Sequence, residues 1–318
     1  MPASLFAHRL VRITSGLAIG IAMLVAGCGG GAAPTVPTGP GGGPTPPPPP
    51  NNPPVVDSIA IQGTRPKEPA NFADVGETVQ ITAKVHDDET PVDQLQFVWT
   101  ADVGAFNGTG PSVTWTAPAQ ASTPADVTLN LKVVEKFGYP GGPLVYENDT
   151  SGSATVSLHD SVKEIGDMAR QFLLDFSDSN IRDVSLIMRN FDPTCPGTVD
   201  ETQQVTDNRK KFSIFSWNIG QPTVSIPFGN SFCSVPGRIQ RGDACSATPS
   251  HWESKQFNNG HTQIADGIDW ISAYYRSALK AWKLCDSQFT GTCVDATTGG
   301  PCSDNALRAM VAGSWRRQ

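Results

Sequence analysis

The chain has 318 residues, more than one hydrophobic core usually organises, so two folded modules are expected once targeting and linker residues are set aside. Its 31 glycines and 27 prolines concentrate near the N-terminus, and the remainder keeps a globular share of apolar side chains, which excludes global disorder. A formal charge of −7 with no basic cluster excludes nucleic acid as the expected partner.

His8, Arg9 and Arg12 form a basic start, and Leu17 to Ala26 follow as a short apolar run, the layout of an export signal over residues 1–27. Such a run is too short for a hydrocarbon core that needs roughly 20 apolar residues, and no later segment approaches that length. It ends in Leu24, Val25, Ala26, Gly27 and Cys28, which resembles the lipobox of bacterial lipoproteins. The resemblance implies cleavage between Gly27 and Cys28 and acylation of the Cys28 sulfur and new amino group. Several acyl chains anchor stably, at about 0.8 kcal/mol per buried CH2. Gly29 after the cysteine resembles the outer-membrane-sorted class, so the expected location is the bacterial envelope, periplasmic or surface-exposed.

Residues 28–54 carry the lipidated cysteine and a linker. From Gly29 to Pro54 there are 11 prolines, 7 glycines and no charge, a composition that cannot build a core. Its Pro46 to Pro50 run favours polyproline II, at about 3.1 Å per residue, and the segment is expected to act as a semi-rigid stalk.

Residues 55–160 follow period two. Val79, Ile81, Ala83 and Val85 alternate with polar residues, as do Leu95, Phe97 and Trp99, Val113 and Trp115, Val127 to Val133, and Ala154 to Leu158. Turn residues separate these runs, the pattern of an antiparallel sandwich. Val75 to Val79, and Phe97 to Thr100 followed by Gly104 to Phe106, resemble PKD and related bacterial immunoglobulin-like domains, which implies presentation or binding. Residues 55–160 hold 14 acidic and 5 basic residues, whereas 161–318 hold 16 of each. Asp87, Asp88, Glu89 and Asp93 cluster between two predicted strands, so the loop is either a Ca2+ ligand set or a solvated, edge-protecting turn.

Residues 161–290 switch to helical spacing, giving a multidomain expectation of an all-β sandwich followed by an α+β module. Ser161 and Glu164 suggest a capping box before Ile165, Met168, Phe172, Leu173 and Phe176. Asn180 is placed to cap a second helix, and Thr198 with Glu201 repeats the box before a polar helix ending near Lys211. Phe212 to Ile219, Thr223 to Phe228, Ser250 to Phe257, Gln263 to Tyr275 and Trp282 to Phe289 are the expected strands. Ile264, Ile268, Ile271, Tyr275, Ala278 and Trp282 also fit helical spacing. The order of paired amphipathic helices, a capped helix and a bent meander ending near Ala281 to Leu284 resembles the NTF2-like cone fold.

Apart from Cys28, the cysteines are Cys195, Cys233, Cys245, Cys285, Cys293 and Cys302, an even number in an exported chain, which points to disulfides. Six cysteines allow 15 pairings; the expected set is Cys233 with Cys245, Cys293 with Cys302 in the tail of residues 291–318, and Cys195 with Cys285 by elimination. Zinc is disfavoured because no C-x-x-C pair is present. The templates H-E-x-x-H, G-x-S-x-G and G-x-x-x-x-G-K are absent. A proton-transfer site in an NTF2-like pocket would draw on His251, His261, Asp266 and Asp269, with His251 and Asp269 the leading pair. Trp217, Trp252, Trp270, Trp282 and Trp315 are either core or the lining of an apolar or sugar site. The expected function is a membrane-anchored envelope lipoprotein presenting a non-catalytic binding module for an envelope protein or small molecule. A pocket enzyme and an adhesive spacer are the alternatives.

Overall fold

A computed structural model describes residues 47–302 except Asn230, Pro236 and Gly237, and excludes the side chains of Phe215 and 231–241. Gly27, Cys28, most of the stalk and Trp315 lie outside these residues. No described helix is long and apolar enough to cross a membrane. The chain is mostly β-sheet, arranged in several sheets.

The N-terminal part is built from β1 (Val55–Gln62), β2 (Phe72–Asp74), β3 (Thr78–His86), β4 (Gln96–Ala101), β5 (Ala105–Asn107), β6 (Ser112–Thr116), β7 (Ala125–Phe137) and β8 (Tyr146–His159). They form two four-stranded sheets, ordered β1-β3-β6-β5 and β2-β8-β7-β4. The sheets face each other because strict alternation sends Val79 and Ile81 on β3, Val113 and Trp115 on β6, and Leu129 on β7 into one shared core. Every alternating run named from the sequence contains a strand, with Leu95 lying just before β4. The three-residue β2, which pairs in parallel with β8, is too short to leave a pattern.

α1 (Ser161–Ser177) follows β8 almost directly. Its N-cap is Asp160, which accepts from the Lys163 backbone N–H, while Glu164 Oε1 accepts from the Asp160 N–H. The box therefore sits one residue earlier than expected. Ser161 is free to turn inward, where its Oγ bonds Asp74 and accepts from Trp282 Nε1. The second helix is only α2 (Val184–Ile187), capped by Asp183 rather than Asn180. α3 (Pro196–Lys211) starts at Pro196, the favoured N1 residue, before the expected Thr198 box. Thr198 donates instead to the Cys285 carbonyl, and Glu201 is buried.

β9 (Phe212–Ile219), β10 (Thr223–Ser225), β13 (Ala244–Gln256), β14 (Thr262–Arg276) and β15 (Ala281–Asp295) make a five-stranded antiparallel sheet, and the hairpin β11 (Ser231–Val235) and β12 (Arg238–Gly242) is inserted between β10 and β13. β9 and β10 both border β13, and β14 and β15 follow on its other side. The segment with ambiguous spacing is strand β14: Gln263, Ala265, Asp269, Ile271, Ser272, Ala273 and Tyr275 are its buried set. At Gly267 and Gly291, which face each other, β14 and β15 come so close that a Cβ on Gly267 would lie 2.2 Å from the Thr290 carbonyl. α1 buries Ile165, Ala169, Phe172, Leu173 and Phe176 against this sheet.

No linker separates the sandwich from the helices, because β8 is buried on both faces at its end. Val156 and Leu158 enter the sandwich, while Ser157 and His159 turn toward the C-terminal sheet. Phe72 stacks on His159 at 5.1 Å and meets Tyr275 edge-on at 4.7 Å. Arg65 bonds Asp74 at 2.8 Å and Glu77 at 2.7 Å while its guanidinium lies 4.8 Å over the Phe228 ring.

Disulfides join Cys195 to Cys285 and Cys293 to Cys302. Cys245 is also disulfide-bonded, and the side chain of Cys233 falls outside the described residues.

Candidate functional site

Between α1, α3 and the inner face of the C-terminal sheet lies a cavity of about 170 Å³. Helical spacing supplies Phe172 and Phe176 from α1 and Glu201, Val205 and Asn208 from α3. Strand alternation supplies Trp217, Trp252, Ser254, Asp269 and Gln288. The space is comparable to a cavity of ~150 Å³ that admits a benzene-sized molecule. Phe257, which is 62% exposed, and Ser179 stand at its open end, whereas Glu201 and Asp269 are buried within.

The walls are aromatic and continuous. Phe172 and Phe176 rings lie 6.3 Å apart, Phe176 meets Trp217 edge-on at 5.8 Å, Trp217 stacks on Trp252 at 6.4 Å, and Trp252 meets Phe289 at 6.2 Å. The ring faces are therefore turned in several directions around one space.

Polar atoms interrupt these walls. Glu201 Oε2, Trp217 Nε1, Ser254 Oγ and both amide atoms of Gln288 are buried without a hydrogen-bond partner among the described residues. Buried polar groups are normally paired, so five such atoms around one cavity mark a place that accommodates water or a ligand. Burial pushes the Glu201 carboxyl up to about 8, reinforced by the negative charges of Asp286 and Asp269 and opposed by hydrogen bonds from Ser287. Burial likewise raises Asp269 to about 7, against a 2.6 Å hydrogen bond from Ser250 Oγ. The lining cation, Arg209, gives its guanidinium hydrogens to the carbonyls of Phe176, Asp178 and Ile181. Neither carboxyl has a salt bridge among the described residues.

The residues singled out by sequence are distributed differently. His251 and Asp269 occupy opposite faces of the sheet, because 251 falls in the outward and 269 in the inward register of their strands. On the outer face His251 Nδ1 meets Asp266 at 2.6 Å, and that bond holds the imidazole pKa above its ordinary value. His261 bonds Asp295 at 2.7 Å. Asp87 Oδ1 accepts from the N–H groups of Glu89 and Thr90, closing its own turn, while Glu89 accepts from Asn52; Asp93 sits on a separate short 3-10 turn. Among the described residues no three His, Cys, Asp or Glu side chains gather as a metal site.

Glu201, Ser254 and Gln288 escaped the sequence reading. Glu201, Val205 and Asn208 are the signal for the first, spaced so that one face of an otherwise polar helix turns inward. No protein-family model, curated protein or solved structure matches the chain.

Proposed function

We propose that the protein is a lipid-anchored component of a bacterial envelope that binds a small, partly apolar molecule in the cavity of its C-terminal module. In this reading acyl chains on Cys28 hold it to the membrane, the proline-rich stalk and a PKD or immunoglobulin-like sandwich act as spacers, and an NTF2-like α+β module carries the site. The observation that carries the binding role is the aromatic cavity with five unpartnered buried polar atoms. Such a cavity, mostly apolar with a few convergent polar groups, has the make-up of a ligand site.

Two measurements test it. The mass of the N-terminal peptide from the membrane fraction is expected to correspond to an acylated Cys28, and an unmodified thiol or retained upstream residues would remove the anchor. Ligand-observed NMR with single-ring fragments is expected to find binders in the full-length protein that are lost when Ser254→Trp fills the cavity. Binding unaffected by that substitution, or no binding at all, would remove the cavity's role.

A second reading, an enzyme, is favoured by the two carboxyls held near neutral pKa, the range suited to general acid–base work. It requires turnover that Glu201→Gln and Asp269→Asn both abolish.

A further inference from the structure

We infer that the cavity ligand is a small organic cation, an alkylammonium or quaternary ammonium group seated among the aromatic rings and facing Glu201 and Asp269. This inference rests on the cavity being a binding site and specifies the chemistry of its occupant.

Three observations converge on that class. Phe176, Trp217, Trp252 and Phe289 turn ring faces and edges around one space from α1, β9, β13 and β15, whereas a single stacking platform would present one face. Aromatic faces attract a cation through the ring quadrupole, most strongly where water is excluded. Glu201 and Asp269 line the same space, yet Arg209 is turned to backbone carbonyls and pairs with neither. A buried carboxylate is costly unless paired. The cavity therefore holds two acidic groups with no cationic partner among the described residues, and a ligand cation supplies the counter-charge that lets them ionise in place. A neutral polyol would use the hydrogen-bonding atoms of Gln288 and Ser254 but would bring no counter-charge to either carboxyl.

Binding of such a cation moves a proton as well. A carboxyl that is protonated in the empty cavity gives its proton to bulk water and faces the ammonium as a carboxylate. Cation affinity therefore rises with pH up to about 8, where the empty cavity itself loses these protons.

The test uses the full-length protein in detergent and calorimetry with ammonium ions from tetramethylammonium through choline to phenyltrimethylammonium. Each is paired with its uncharged carbon isostere, for choline 3,3-dimethylbutan-1-ol. Cations are expected to bind at least about tenfold more tightly than their isosteres. Heats measured in two buffers should show proton release, and Glu201→Gln and Asp269→Asn should remove the preference without lowering the melting temperature. If the uncharged isosteres bind as well as the cations, the cation inference fails and the cavity remains a binding site. If neither series binds, this inference fails; the fragment screen and Ser254→Trp comparison then decide separately whether the cavity binds at all.

Discussion

Glu201 shows how a single side chain can oppose the fold that holds it. The unfolded chain releases this proton near the ordinary value of 4.5, while the folded protein retains it up to about 8. Between these values the native state binds more protons than the unfolded state, so stability falls as pH rises through the window. Asp269 acts in the same direction between 3.8 and about 7. Glu201→Gln keeps the shape and removes the ionisation. It is expected to stabilise the protein by ~1–3 kcal/mol at pH 8 and to change little at pH 4, measured by urea unfolding at both values. Equal stability of the two proteins at pH 8 would show that Glu201 ionises there without penalty. His251, the residue type that most readily suggests proton chemistry, lies across the sheet from this site with Asp266.

At the scale of elements, legibility followed periodicity. β3 and β7 announce themselves because one face is buried and the other wet, and alternation is the direct record of that, whereas β13 begins at Ala244, six residues before the expected Ser250, because its inward residues there are small or polar. α3 was legible as a helix, but its orientation was not: Glu201 fits a capping box by spacing, and only packing against β15 decides that it points inward. β2 and its parallel pairing with β8 had no sequence signal, since three residues are too few to show a period. Of the expected cysteine pairs, Cys293–Cys302 was legible from its short loop and Cys195–Cys285 by elimination. The Cys195–Cys285 bond fixes the start of α3 to β15 across a separation of 90 residues, and α3 carries Glu201. Replacing both cysteines by alanine is expected to cost about 2–4 kcal/mol, read by urea unfolding against the parent. The shorter Cys293–Cys302 loop, with a separation of 9, is expected to contribute less.

At the scale of the molecule, the junction between sandwich and C-terminal sheet is a core in its own right. Phe72 belongs to a strand of the sandwich, yet its ring is packed by His159, Tyr275, Phe228 and Trp282 within 6.3 Å. Around it, Trp282 Nε1 donates to Ser161, which also bonds Asp74 of β2, and Tyr275 reaches His159 at 3.3 Å. Lys280 pairs with Asp126 at 2.7 Å, but both are half-exposed and such a pair contributes little. The coupling is therefore carried by rings and by buried hydrogen bonds, so neither part can lose its structure without exposing the other's apolar surface. Thermal unfolding of the intact protein is accordingly expected to show one cooperative transition, reported alike by far-ultraviolet circular dichroism and by tryptophan fluorescence. Phe72→Ala should lower that transition by ~3–5 kcal/mol, the usual cost of emptying a buried aromatic site. Two resolved transitions in the parent protein, or a Phe72→Ala protein as stable as the parent, would mean that the sandwich and the cavity-bearing module stand independently and that the stalk carries two beads instead of one body.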